Sequence, residues 1–167
     1  MVKKKRKKEV IFVDSNVFII DLRYKKDKDY KINKSFLDYL YEKKTGITSV
    51  FNLLEICGIL SFNLNERQIV ELYHYFPDKY NVEIIPSPLL ELSLPQLAIR
   101  KVFEVINRKV SFGDALIISL VESYIPHITH FLSWNAIHFK KKISVEASLK
   151  VLTPREFLTP PPGNPLP

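Results

Sequence analysis

The chain has 167 residues, 46% hydrophobic and 12% aromatic, enough apolar side chain for one domain with a real core, which excludes a disordered polymer. The formal charge is +7, but Lys3, Lys4, Lys5, Arg6, Lys7 and Lys8 supply six of the 25 basic residues, leaving 19 against 18 acidic ones, so the body is near neutral and the basicity is a tail. A single cysteine, Cys57, excludes a disulfide framework and a cysteine-based zinc site, and no apolar run approaches the roughly 18 residues of a membrane span.

Residues 1–8 repel one another and are expected to be solvated, as a nucleic-acid arm or as a solubility tail. The basic start is not followed by an unbroken apolar region, because Asp14 and Asp21 interrupt it, so the expected location is cytoplasmic. Val10-Ile11-Phe12-Val13 reads as a short buried strand. Asp14-Ser15-Asn16 follows, and residues 17–22 open a helix that runs into a charged loop over 23–31. Ligands of open α/β sheets bind at the carboxyl ends of the strands, where Asp14 would sit; the other reading is that Asp14 or Ser15 only caps the helix.

Residues 35–44 carry Phe36, Leu37, Leu40 and Tyr41 at helical spacing, with Gly46 as the expected C-cap. Residues 47–60 are apolar nearly all round, which predicts a mostly buried helix with Ser49 as N-cap. Asn65-Glu66-Arg67-Gln68 matches a capping box and opens a helix bearing Ile69, Leu72, Tyr73 and Phe76, stopped near Pro77. Val82–Ile85 is a second strand, closed by Pro86 and Pro88. Pro95 suits a first helical turn, and Ile99, Val102, Phe103 and Ile106 form the expected inner stripe of that helix. Phe112–Tyr124 is a further apolar helix, and residues 130–133 and 149–153 are the third and fourth strands. Strands separated by helices are the pattern of a parallel α/β sheet. Six of the last 14 residues are proline, which predicts an extended end. The expected division is a basic tail over 1–8, a domain over 9–158 and a proline-rich tail over 159–167.

Four polar residues sit where core is expected. Glu55 is the only charged residue between Lys44 and Glu66. A buried carboxylate there would have to be protonated, paired or metal-bound; alternatively the helix exposes that face and leaves Asn52 and Glu55 wet. Gly58, one turn on, would allow a close approach on that side. Asp114 opens an apolar helix, as a site residue or as part of a Ser111-x-x-Asp114 cap. Asn135 follows the third strand, as a ligand or a turn residue. Asp14, Glu55, Asp114 and Asn135 together form a set of oxygen donors. Carboxylates gathered at one place need a divalent cation, and oxygen-only ligation suits Mg²⁺ or Mn²⁺. Such a centre can polarise a phosphodiester and generate hydroxide from water.

The order of these motifs resembles the PIN domain: Asp14-Ser15-Asn16 after a strand, Thr48-Ser49 with Glu55 in a helix, and Gly113-Asp114-Ala115 opening a helix. Ser133-Trp134-Asn135 with His138-Phe139 is similar to that family's Thr-x-Asp/Asn region, and residues 151–158 to its closing strand and turn. The resemblance covers residues 9–158. It implies a three-layer α/β/α sandwich around a central, mostly parallel sheet of four or five short strands, and Mg²⁺- or Mn²⁺-dependent cleavage of RNA. Many small members are VapC-type toxins paired with an antitoxin, and homodimers are common. Carried over by position, Asp14, Glu55 and Asp114 are the metal carboxylates, and Asn16 and Ser133 hold ligands or water. Asn135 stands where many members have a fourth acid, which predicts one firm metal site. Arg108, Lys109, Lys140, Lys141 and Lys142 are the candidate phosphate contacts; the other reading of Arg108 and Lys109 is that they only complement a helix C-terminus. A binding protein that keeps the fold with little catalysis is the alternative. A haloacid dehalogenase-type phosphatase ranks last, because it wants Asp-x-Asp and Asn16 takes the second position.

Overall fold

The computed structural model describes residues 9–43, 46–88, 97–124, 127–144 and 149–159. The basic tail, Pro95 and the proline-rich end from residue 160 lie outside them. The fold is built outward from β1 (Ile11–Val13), whose three side chains have no solvent exposure. Their alternation decides the layering: Ile11 and Val13 enter one hydrophobic cluster and Phe12 enters a second on the opposite face. A strand buried on both faces reads as a continuous apolar run, which is why this one was legible.

Four strands join it: β2 (Gly46–Ser49), β3 (Val82–Ile85), β4 (His130–Leu132) and β5 (Lys150–Leu152). Their order is β3-β2-β1-β4-β5 and every pairing is parallel. The sheet thus has five strands and is wholly parallel, where a mostly parallel sheet of four or five was expected. Helices α1 (Ser15–Arg23), α2 (Tyr30–Lys43), α3 (Val50–Leu60), α4 (Glu66–Tyr80) and the short α8 (Pro154–Leu158) contribute to the first cluster. The second is filled from α5 (Ile99–Ile106), α6 (Phe112–Tyr124) and α7 (Ala136–Lys140). Among the described residues no helix is long and apolar enough to cross a membrane.

Several local expectations are corrected. Gly46 is not a C-cap but the first residue of β2, and the apolar run expected to be one helix begins with that strand. Gly46 pairs with Ile11 and Val82, and a Cβ there would lie 2.8 Å from Val82 Cγ1. Close approach of strands, not helix termination, requires the glycine. Ser49 caps α3 as expected, its hydroxyl accepting from the Asn52 N–H at 3.1 Å. Helix α4 does not stop at Pro77 but runs to Tyr80, ending on Asn81 at φ 51°. Its last turn is held by Phe76 and Tyr80, whose rings pack on Phe18 at 4.8 and 4.9 Å. Helix α2 begins at Tyr30, five residues early, and is anchored by Asn33, which donates to the Val17 carbonyl at 2.8 Å. The inner residue of α5 is Val105, fully buried, while Ile99 and Phe103 of the expected inner stripe are 88% and 59% exposed. Space beside Gly58 is open, so it serves no close approach.

Candidate active site

Where β1 ends, Asp14 leaves the sheet in extended geometry and caps α1, accepting from the Ser15 N–H at 2.9 Å through Oδ1. Asp14 is therefore a cap, and its carboxyl group sits at the carboxyl edge of the central strand. Asn52 Nδ2 also donates to Oδ1 at 3.2 Å, and Ser133 Oγ donates to Oδ2 at 2.8 Å. Two segments beyond β1 thus hold this side chain: α3 through Asn52, and the turn after β4 through Ser133. Only 6% of Asp14 is exposed, and its pKa is pushed up to about 7. Burial is the main cause; the Ser133 and Ser15 hydrogen bonds oppose it, and the negative charges of Glu55 and Asp114 add to it.

Glu55 is exposed, which corrects the expectation of a buried carboxylate, whereas Asn52 on the same helix is fully buried. Glu55 is nonetheless tied to the site, because Ser15 Oγ donates to its Oε2 at 2.5 Å. Asn52 is the residue that sequence reasoning passed over. Its Nδ2 reaches Ser15 Oγ at 2.7 Å as well as Asp14, and its Oδ1 accepts from Ser49 Oγ at 2.5 Å. The signal was present: an amide inside an apolar helix must be hydrogen-bonded, and it lies one turn before Glu55.

Asp114 stands in the first turn of α6, half-buried, its N–H bonded to Ser111 Oγ at 3.2 Å as the capping reading expected. It also bears on Asp14 electrostatically. Asn16 and Ser133 form a polar bridge between the two strand ends: Asn16 Nδ2 donates to Ser133 Oγ at 2.9 Å and Asn16 Oδ1 accepts from the Trp134 N–H at 3.1 Å. Asn135 is exposed; its N–H donates to Ser133 Oγ at 2.9 Å and its side chain makes no capping bond to α7. His138, one turn along α7, brings Nε2 to 3.4 Å from Asp114 Oδ2.

The basic candidates divide. Arg108 is committed to Glu122 by contacts of 2.7 and 3.3 Å, and it exchanges hydrogen bonds with Lys142, whose Nζ donates to the Arg108 carbonyl. Glu122 is nearly buried; burial opposes its charge, but hydrogen bonds from Arg108, Lys101 and the Ser144 N–H outweigh that and hold its pKa below the usual range. Lys140 pairs with Glu156 at 3.3 Å. Lys109 and Lys141 are exposed and form no ion pair among the described residues.

Among the described residues, no three His, Cys, Asp or Glu side chains are gathered as a protein-only metal cage. The donors still fit a hard dication of the Mg²⁺ type, which is held by one or two carboxylates with water and substrate oxygens completing its shell. Asp14 is buried beside two like charges and, among the described residues, no basic side chain is bonded to it; a cation would relieve that repulsion.

A five-stranded, all-parallel sheet with helices on both faces is an α/β fold like that of PIN domains. A chain in the structure of FitAB bound to an IR36 DNA fragment is similar to this one, with a TM-score of 0.53 and 14% sequence identity over 87% of this chain and 95% of that chain. No family model and no curated protein matches the sequence.

Proposed function

We propose that the protein is a metal-dependent endoribonuclease that hydrolyses RNA phosphodiester bonds in the cytoplasm, akin to VapC-type toxins. Asp14, Glu55 and Asp114 are its Mg²⁺- or Mn²⁺-binding carboxylates, with Asn135 at the fourth position. The observation that carries this reading is the Asp14 carboxylate, buried at the end of the central strand and burdened by the charges of Glu55 and Asp114. A divalent cation bound there would supply Lewis-acid polarisation of a phosphate and lower the pKa of an attacking water. Asn52, Ser133 and the Ser15 N–H fix the Asp14 carboxylate in one orientation, so no reorganisation is needed during reaction. Ser15, donating to Glu55, holds that exposed carboxylate toward the same edge. Of the five basic candidates, Lys109 and Lys141 are the two that stay uncommitted among the described residues, and they are proposed to meet phosphate.

FitAB is bound to a DNA fragment, which supports nucleic acid as the setting, so the test runs RNA and DNA oligonucleotides side by side with Mn²⁺ or EDTA. EDTA-sensitive RNA cleavage lost in Asp14→Asn supports the reading; equal rates for variant and parent remove it. An antitoxin-type partner protein and a homodimer go with the same proposal. A second copy would cover the open groove of about 550 Å³ between α5, α6 and Phe51, where Ile99, Phe103 and Phe112 are exposed. The second reading is a PIN-fold RNA- or partner-binding protein with weak catalysis. The uncharged Asn135 and the absence of a three-ligand cluster among the described residues favour it. Calorimetry that detects no heat with Mn²⁺ would select it.

A further inference from the structure

His138 lies outside the set of oxygen donors, yet its position is fixed by the same polar thread. Ser133 Oγ donates to Asp14 Oδ2 and accepts from the Asn135 N–H, and the His138 N–H donates to the Asn135 carbonyl at 3.0 Å. The turn that starts α7 is therefore hung from Asp14, and it delivers the His138 ring to Asp114. The ring packs edge-on to Phe139 at 5.5 Å, which sets its plane. His138 Nε2 is buried from solvent and has no hydrogen-bond partner among the described residues, although the side chain as a whole is 30% exposed. Asp114 Oδ2 lies 3.4 Å away, beyond the usual N–H···O range. Among the described residues Asp114 is the group that approaches this nitrogen, too far for a good hydrogen bond, and a ligand between the two would satisfy both.

The spacing identifies the kind of partner. Two ligand atoms bonded to one first-row dication at about 2.0–2.2 Å, at octahedral to tetrahedral angles, stand roughly 2.8–3.6 Å apart. The His138 Nε2 to Asp114 Oδ2 separation of 3.4 Å lies within that range, on its tetrahedral side. Asn135, one turn earlier on the same face, has no charge to offer.

We propose that His138 Nε2 and Asp114 Oδ2 are joint ligands of the cation, so that the centre is mixed nitrogen and oxygen and selects a first-row transition dication over Mg²⁺. Imidazole is a poor ligand for Mg²⁺, which demands oxygen, while affinity for N/O sites rises from Mn²⁺ to Co²⁺. His138 thereby takes the part that an acid at position 135 would have had. This inference rests on the cation-dependent reading of the site but is separable from it.

The test uses the full chain stripped with EDTA. Mn²⁺ and Mg²⁺ are titrated by calorimetry, and pulsed electron paramagnetic resonance is recorded on the Mn²⁺ form. The expected result is nitrogen coupling from one imidazole in the parent, tighter binding of Mn²⁺ than of Mg²⁺, and loss of the coupling in His138→Ala. In that variant the Mn²⁺ affinity falls roughly tenfold or more, while the Mg²⁺ affinity changes far less. The parent spectrum needs no variant, so a misfolded His138→Ala leaves the test intact. Bound Mn²⁺ without nitrogen coupling, or coupling that survives in a folded His138→Ala, overturns the proposal and leaves the nuclease reading standing. No binding of either metal by the parent overturns both.

Discussion

Asp14 carries two opposed demands. It must be an anion to hold a cation, yet burial and the negative charges of Glu55 and Asp114 disfavour that charge more than the Ser133 and Ser15 hydrogen bonds support it. With a folded pKa of about 7 against an ordinary 3.8, the native state holds a proton that the unfolded chain gives up above pH 4. Stability from this group is therefore full below about pH 4 and is lost as pH rises through 7. In metal-free buffer, Asp14→Asn is expected to match the parent's thermal stability most closely below about pH 4, to gain on it between pH 4 and 7, and to keep a constant advantage above that. The limit is several kcal/mol, at about 1.4 kcal/mol per pKa unit. Thermal melts across that range check this, and a pH-independent difference refutes it. Added Mn²⁺ should raise the parent's midpoint at pH 8 and leave that of the variant unchanged. Asp14 was legible because a carboxylate directly follows an apolar strand. Glu55 was not, since an apolar helix is compatible with either a wet or a buried acid. Only the Ser15 hydroxyl and the buried Asn52 beside it decided the case.

At the scale of elements, the boundary between β2 and α3 shows what periodicity misses. Residues 46–60 are apolar in both halves, so no change of pattern marks where the strand gives way to the helix. The strand exists because β1 and β3 supply its hydrogen bonds. Gly46→Ala is expected to cost about 1–3 kcal/mol, because the added Cβ meets Val82 Cγ1 at 2.8 Å. Urea unfolding measures it, and an unchanged midpoint would mean that β3 yields freely. Ser49→Ala removes the α3 cap, a loss of about 1 kcal/mol. It also removes the hydroxyl that orients Asn52, so cleavage should fall more than stability explains. Comparing rates well below the melting temperature separates the two effects. Pro77 teaches the converse: a breaker in the sequence was overridden by the aromatic packing of Phe76 and Tyr80.

For the molecule as a whole, the fixed charges that face solvent matter more than their total. Arg108, Lys140 and Lys142 are already engaged with Glu122, Glu156 and a backbone carbonyl, so they add little to phosphate binding. Lys109→Ala and Lys141→Ala should each lower the slope of log affinity against log salt by about 0.7 on single-stranded RNA. Fluorescence anisotropy at several salt concentrations reads this, and an unchanged slope assigns binding elsewhere. On the opposite balance, the apolar face at Ile99, Phe103 and Phe112 predicts that Phe103→Glu converts a dimeric parent to a monomer in sedimentation. A monomeric parent would discard that interface.

The sequence by itself determined four of the five strands, the central buried one among them, the Asn65 and Ser111 caps and the order of the polar motifs. Each of these depends on neighbours within a few residues, or on a face buried whatever lies against it. Only the tertiary structure decided that Gly46 begins a strand, that Ile99 and Phe103 face outward, that Glu55 is wet, and that Asn52 and His138 belong with the acids. Those outcomes turn on contacts between residues tens of positions apart, where burial and hydrogen-bond partners come from elements that local spacing cannot see.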